Sequence, residues 1–252
     1  MAILKVLKNG VFQKYTSEGT HLCVPASAVY LNTRVLTKHK KLTSVSFEEG
    51  SMLDSIMPGT FEDCIYLESI ELPPSLREIG KAAFKNCTAL RSIEIPASVV
   101  RIDEEAFNGC KSLESVTFAP DSQLSSIRYE VFHGCPMKSI RIPASVGAIG
   151  HSAFIHSALE SVHFEKNSRL DGIDEYAFGY CPLRSIRIPT GVRTVRNRAF
   201  ICCSNLERVI FANEDDPHQK ELELASTETS KTSVMREAFL FCDALKEVTV
   251  TA

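Results

Sequence analysis

The stretch from Arg91 to Leu113, RSIEIPASVVRIDEEAFNGCKSL, is a unit that the chain repeats with small changes. Residues 68–90 (ESIELPPSLREIGKAAFKNCTAL) and 114–137 (ESVTFAPDSQLSSIRYEVFHGCPM) are its neighbours. Its phenylalanine recurs at gaps of 23, 23, 25, 22, 24, 22 and 39 residues. These residues are Phe61, Phe84, Phe107, Phe132, Phe154, Phe178, Phe200 and Phe239. A fixed period in the twenties is typical of a solenoid with one strand per turn.

The first part of the unit has the alternation of a strand. Ile93 and Ile95 alternate with Ser92 and Glu94, so the two isoleucines share one face and the polar pair shares the other. Pro96 ends the strand because proline has no N–H to donate to a ladder. The unit therefore predicts a parallel sheet with one buried face and one polar face.

The second part of the unit predicts the remaining walls of each turn. Val99 and Ile102 return the chain along a second wall. Ala106, Phe107 and Cys110 lie three or four residues apart, which predicts a short helical or 3₁₀ turn that faces inward. A single turn cannot bury these apolar groups, so stacked turns must share one continuous core. The expected fold class is α/β.

The phrases IPASVVRIDEEAFNGC, IPASVGAIGHSAFIHS and IPTGVRTVRNRAFICC resemble the BspA-like class of leucine-rich repeats. The resemblance covers about residues 21–252. It implies a curved leucine-rich-repeat solenoid with a parallel β-sheet on its concave face. Short helical or 3₁₀ turns and extended segments would lie on the convex side. It also implies binding functions, such as adhesion and protein recognition, and no catalytic residues.

The repeat predicts a single domain over residues 1–252. Residues 1–20 do not fit the repeat, and Asn9-Gly10 between apolar runs predicts a hairpin that caps the first turn. Regular repeats occupy residues 21–211, and an acidic insertion at 212–233 interrupts the array. Residues 234–252 form the last repeat. We expect its apolar edge either to favour end-to-end self-association or to mark the chain as a piece of a longer protein.

Composition excludes several classes of function. The net charge of −3 offers no general attraction to nucleic acid. No segment reaches the roughly 18 apolar residues of a membrane span. The N-terminal run lacks the small-residue cleavage site of a signal peptide. Localisation therefore stays unknown, although members of the class are often secreted or on the cell surface.

The nine cysteines contain no C-x-x-C pair, so a metal site is not expected. Cys202 stands at a surface position of its repeat and should be reactive. Neither cofactor nor catalytic motif is found, which predicts a protein that is not an enzyme. Six cysteines share one inward repeat position and should behave as small buried apolar groups. They are Cys64, Cys87, Cys110, Cys135, Cys181 and Cys242.

The outward positions of the strands form the candidate binding face. One column of these positions contains Glu71 and Glu94, followed by Arg141, His163 and Arg187, and it continues to Ile210 and Thr249. The flanking column adds basic groups at Lys138 and Arg184. We expect this two-signed face to bind a protein partner whose acidic patch meets the basic half. Two alternatives remain open. One is an ordinary solvated sheet face, and the other is a segment of a surface adhesin or structural array acting by avidity.

Overall fold

The structure is a computed structural model that describes residues 5–6, 11–14, 19–212, 233–235 and 237–250. The acidic insertion and the Asn9-Gly10 turn lie almost wholly outside these residues. The strands are β1 (Lys5–Val6), β2 (Val11–Lys14), β3 (His21–Val24), β4 (Tyr30–Leu31), β5 (Ser44–Phe47), β6 (Ser55–Ile56), β7 (Ser69–Ile70), β8 (Glu78–Ile79), β9 (Ser92–Ile95), β10 (Arg101–Ile102), β11 (Ser115–Phe118), β12 (Ser126–Ile127), β13 (Ser139–Ile142), β14 (Ala148–Ile149), β15 (Ser161–Phe164), β16 (Gly172–Ile173), β17 (Ser185–Ile188), β18 (Thr194–Val195), β19 (Arg208–Phe211), β20 (Ser233–Val234) and β21 (Glu247–Val250).

Each turn of the solenoid contributes to three walls. The odd-numbered strands from β3 to β21 follow one another in chain order and form the first wall, which we call the long-strand face. Its strands pair in four separate ladders, which are β3-β5-β7, β9-β11, β13-β15 and β17-β19-β21. Along β9 the side chains alternate between exposed and buried, with Ile93 and Ile95 inward and Ser92 and Glu94 outward. β9 and β11 pair in parallel with Glu94 opposite Thr117, so equivalent positions of adjacent turns lie side by side. The predicted parallel sheet and its polar face are present.

The second wall is a parallel sheet of mostly two-residue strands. In the described residues it has 11 strands and runs from β1 through β2 and the even-numbered strands to β20. Its inward residues include Ile102, Ile127 and Ile149, which stand opposite one another in the ladder. At its N-terminal end β1 pairs antiparallel with β2, and β2 pairs in parallel with β4. This hairpin therefore extends the second wall, and its proposed role is to cap the first turn.

The third wall, which we call the turn wall, corrects the expected α/β class and its short helical turns, because the described residues contain no helix and the solenoid is built of strands and tight turns. The segment 103–110 forms overlapping tight turns, in which the N–H groups of Ala106, Asn108 and Cys110 each donate to the carbonyl three residues earlier. Glu105 and Gly109 have φ of +59° and +74°, and a left-handed residue stops a right-handed helix from propagating. Equivalent left-handed residues recur in the other turns, and most of them are not glycine.

The turn wall is also a hydrogen-bonded ladder between turns. The N–H of Phe107 donates to the carbonyl of Val131 in the next turn at 3.0 Å, and the N–H of Glu105 donates to Tyr129 at 2.9 Å. Alternate N–H groups thus bond within the turn and between turns. This arrangement satisfies the backbone beside the core without a helix.

A column of phenylalanine rings fills the centre of the solenoid. From Phe61 to Phe200 these repeat phenylalanines are fully buried. Consecutive rings are nearly parallel, with centroids 5.1 Å apart for Phe84 and Phe107 and 5.5 Å apart for Phe107 and Phe132. The spacing of the turns matches the range of about 4.5–7 Å in which aromatic pairs attract each other. The repeat unit therefore stabilises its own stacking.

Beside the rings runs a column of buried thiols. The Sγ of Cys110 donates to the carbonyl of Phe84 at 3.2 Å, and the Sγ of Cys135 donates to the carbonyl of Phe107 at 3.3 Å. All six cysteines predicted to point inward are buried, and Cys203 is a seventh member of the column. Burial raises the pKa of Cys64, Cys135 and Cys181 to about 12. These thiols are therefore neutral, weakly hydrogen-bonded core groups.

Candidate functional site

The central column of the long-strand face brings five of the seven predicted binding residues into one line. Glu71 and Glu94 belong to its N-terminal half, and Arg141, His163 and Arg187 follow in later turns. Arg141 stands directly opposite His163 in the β13–β15 ladder. Paired strands lie about 4.8 Å apart, so Arg141 and His163 are immediate neighbours, whereas the column crosses three junctions at which the strands are not joined by a ladder.

Exposure changes along this column, and the far end departs from the prediction. Glu71, Glu94, Arg141 and His163 are exposed, and Arg187 is half-buried. Ile210 and Thr249, which the alternation also places on the outer side, are 8% and 4% exposed. The accessible part of the central column therefore ends near Arg187.

The flanking column holds Lys138 and Arg184 and alternates in sign. Its first member, Thr43, is half-buried, and its charged members are all exposed: Glu68, Arg91, Glu114, Lys138, Glu160, Arg184, Glu207 and Lys246. The Nζ of Lys138 lies 3.6 Å from the Oε1 of Glu160, and the Nζ of Lys246 lies 3.1 Å from the Oε2 of Glu207. Such exposed pairs contribute about 0–1 kcal/mol each. Their alternation cancels most of the field of this column, so the polarity of the face comes from the central column.

Arg141, His163 and Arg187 have no ion-pair partner within the described part of the chain. Other arginines are commonly paired between adjacent turns, as Arg208 is with Glu247 at 2.8 Å. The two unpaired arginines, with the His163 ring beside Arg141, are therefore available to an acidic group from outside the chain. A group that arrived there would gain from a Coulomb interaction that no internal carboxylate already takes up.

A shallow groove runs beside Arg141 and His163. It lies at one of three interruptions of the long-strand face, because no ladder joins β11 to β13 although both strands are fully described. Glu114, Thr117 and Ser139 line it together with Arg141 and His163. The sequence pattern did not predict this break, since the strand phrase continues through it unchanged.

The described histidines and the remaining thiols were also candidates for a metal centre. Within the described residues no three His, Cys, Asp or Glu side chains are arranged to hold a metal ion. His133 and His156 stack on the turn wall with ring centroids 5.9 Å apart. Burial, with His133 and Lys111 nearby, lowers the pKa of His156 below its ordinary value. Cys202 is half-buried, whereas Cys23, at the first position of the central column, is the exposed thiol that the sequence analysis did not single out.

The stacked parallel strands define a leucine-rich-repeat solenoid of about eight turns. The chain belongs to the BspA-type leucine-rich repeat family, since residues 29–157 and 125–252 match the BspA type leucine rich repeat region in 6 copies. No curated protein matches the chain.

Solved structures share this fold. A leucine-rich repeat protein from Bacteroides ovatus matches with a TM-score of 0.69 and 21% identity, over 99% of this chain and 69% of that one. The pneumococcal vaccine antigen PcpA matches with a TM-score of 0.59 and 13% identity, over 99% of this chain and 85% of that one. A leucine rich cell surface protein from Faecalibacterium prausnitzii matches with a TM-score of 0.51 and 18% identity, over 100% of this chain and 95% of that one.

Among the residues that the structure describes, no helix has the length and apolar character needed to cross a bilayer.

Proposed function

We propose that this chain is a non-catalytic protein-binding scaffold that holds its partner on the long-strand face. Leucine-rich repeat proteins of this kind generally serve as protein-interaction or surface scaffolds. The observation that supports this proposal most directly is the placement of Arg141 and His163. They are adjacent, exposed, without an internal ion pair, and beside the groove between β11 and β13.

The chemistry of this site favours an acidic partner surface. A carboxylate that reaches Arg141 can accept two parallel N–H bonds from the guanidinium, a geometry that lysine does not offer. Arg187 extends the positive stripe, while Glu71 and Glu94 give the opposite end of the face a negative sign. The two signs orient the partner along the solenoid, because reversing it would place like charges together.

Affinity should fall as salt is added, and the change should appear mainly in the association rate. The basic groups are exposed or, for Arg187, half-buried, so their interaction with a partner is screened over a Debye length of about 8 Å at physiological ionic strength. Electrostatic steering raises association rates more than it slows dissociation. The groove is shallow and open. We therefore expect electrostatic attraction to contribute more to binding than burial of the partner in a deep pocket.

Charge reversal tests the proposal. The intact chain would be used to capture partners, and affinity would then be compared with the variant R141E/R187E. The matched control is R77E/R169E, because Arg77 and Arg169 are exposed, lack an ion-pair partner among the described residues, and lie off the central column. Circular dichroism would verify the fold of both variants.

The expected result is a loss of about tenfold or more for R141E/R187E, with little change for the control. Equal affinity of both variants for a captured partner would remove the basic half of the face as the site. The acidic insertion at 212–233 would then become the candidate to test by deletion.

The adhesin or structural-array alternative has one observation in its favour. Among the described strands, β21 pairs only with β19, and Phe239, Leu245 and Val248 beside it are only partly buried. An open strand edge over apolar side chains can pair with another chain. Association between solenoids through this edge would give the repeated presentation that avidity requires.

A further inference from the structure

Two charges of opposite sign stand in the groove between β11 and β13, and neither is paired within the chain. Glu114 and Arg141 both line the groove, and both are exposed. Neither has an ion-pair partner among the described residues, whereas Lys138 on the same face lies 3.6 Å from Glu160. A group from outside the chain can therefore interact with either charge without displacing an internal partner.

The groove follows the direction of the strands. Residues 114–118 line it as one unbroken run, and residues 139–141 line it from the next turn. Five strand residues cover about 13 Å. His163 and Glu165 complete the lining, and the carboxylate of Glu165 already accepts the N–H of Ala144 at 3.0 Å. The groove thus has the length and direction to take a short extended peptide.

The separation of the two free charges also suits an extended peptide. Arg141 occupies in its turn the position that Thr117 occupies in β11, which is three residues beyond Glu114. Three strand residues cover about 10 Å, so the two charges lie well apart along the groove. Residues four positions apart in an extended peptide point to the same side and are about 13 Å apart. Long, flexible side chains can take up the difference between these two distances.

The break between the strands also leaves a backbone donor available. The N–H of Ser115 donates to the carbonyl of the preceding turn at 3.3 Å, but the N–H of Ser139 makes no such bond to the equivalent carbonyl, that of Glu114. Pro136 comes just before this strand. Because proline has no N–H, it cannot make the bond that Ala158 makes to the preceding turn at 3.2 Å. The N–H of Ser139 can therefore donate to a backbone carbonyl of a bound peptide.

We infer that this groove binds an extended segment of the protein partner that carries one basic and one acidic side chain, about four positions apart. The acidic side chain meets Arg141, and the basic side chain meets Glu114. A second acidic side chain in place of the basic one would face Glu114 and be repelled. The inference rests on the proposed function, since it uses the same face, and it adds a basic group to the acidic partner.

The open shape of the groove favours a peptide over a small molecule. Small-molecule sites bury about 70–90% of their ligand, whereas this groove covers only one side of what lies in it. Val116 and Ile140 are buried beneath it, so the accessible lining is mostly hydroxyl and charged groups. Such a lining offers contacts along a backbone and leaves most of the specificity to charge.

Three blocked peptides are the probes. The mixed peptide is Ac-Ser-Lys-Thr-Ser-Thr-Asp-Ser-NH2, the diacidic peptide has aspartate in place of its lysine, and the dibasic peptide has lysine in place of its aspartate. Binding to the isotope-labelled intact chain would be followed by backbone amide shifts in NMR spectra at low ionic strength. The variants are E114K and R141E. The matched controls are E68K, in the same column as Glu114 but outside the groove, and R187E, in the column of Arg141 but outside the groove.

The expected result is millimolar binding of the mixed peptide by the intact chain, about threefold or more tighter than binding of either other peptide. The amide of Ser139 should be among those that shift most. E114K should prefer the diacidic peptide and R141E the dibasic peptide, because each variant places two like charges in the groove. E68K and R187E should keep the preference for the mixed peptide. Circular dichroism would verify the fold of every variant.

Three outcomes would overturn the inference. The first is no saturable binding of any peptide, and the second is an unchanged preference in E114K and R141E. The third is a preference of the intact chain for the diacidic peptide, which would leave the proposed acidic partner in place. Failure of the proposed function has a different sign, because it appears as equal affinity of the intact chain and R141E/R187E for a captured partner.

Discussion

Replacing Phe107 with alanine tests the physical basis of the solenoid. Phe107 is fully buried, and its ring stacks on Phe84 at 5.1 Å and on Phe132 at 5.5 Å. Deleting a buried phenylalanine side chain costs about 3–5 kcal/mol through lost transfer free energy and the cavity left behind. We expect the upper half of this range. The backbone of Phe107 is tied to Val131 at 3.0 Å, so the turns cannot close over the cavity.

The assay is urea unfolding followed by far-ultraviolet circular dichroism, with the free energy of unfolding compared between variants. F241A is the matched control, because it deletes the same side chain at a position that is 61% exposed and should change stability by about 0.5 kcal/mol or less. F239A should fall between the two, since Phe239 is partly buried and its described ring neighbour is Phe200 at 5.2 Å. A loss below about 1 kcal/mol for F107A, or equal losses for F107A and F241A, would refute the stacked-ring account of the core.

Three further predictions concern thiols, a histidine and assembly. Alkylation of the native chain, followed by peptide mass spectrometry, should label Cys23 and Cys202 first and leave the buried cysteines unlabelled. The reason is that burial raises the pKa of thiols such as Cys135 to about 12. Rapid labelling of the whole buried column would contradict its inward placement. His156 should titrate below the ordinary histidine pKa of about 6.5 in a proton NMR titration, and H133A should raise its pKa. Because the pKa of His156 is lower in the folded chain, the unfolded chain binds the proton first as pH falls. The contribution of His156 to the free energy of unfolding is therefore present above about pH 6.5 and is lost as pH falls through the folded pKa. A measured pKa at or above about 6.5 in the folded chain would contradict this prediction. Light scattering after size exclusion should show association that grows with concentration if the β21 edge pairs between chains, and a constant monomer mass would count against end-to-end assembly.

The sequence was sufficient to predict the repeat, the strands and the core. The alternation of Ile93 and Ile95 with Ser92 and Glu94 can be read from the sequence, and it determines which face of strand β9 is buried. A fixed period brings equivalent residues of successive turns into register, so the column from Glu94 to Arg141 and His163 could be written down without coordinates. Cys203 could also have been placed, because it stands three residues after Phe200 as Cys110 does after Phe107.

Only the tertiary structure decided how the third wall is built. A spacing of three and four residues fits a helical turn, yet Glu105 is left-handed and the N–H of Phe107 bonds to the next turn instead of along its own segment. Glycine would have signalled the left-handed positions, but side chains as large as Tyr180 and Phe241 occupy them. At these positions, hydrogen bonding between turns outweighs the local backbone preference of the residue. The sequence of a single repeat does not include the neighbouring turn that provides those hydrogen bonds.

The breaks in the long-strand face were also decided by the tertiary structure. The strand phrase reads on through them, yet no ladder joins β7 to β9, β11 to β13 or β15 to β17. Whether adjacent strands pair depends on contacts between turns. Sequence periodicity therefore determined which residues are neighbours, and three-dimensional stacking determined which of those neighbours touch.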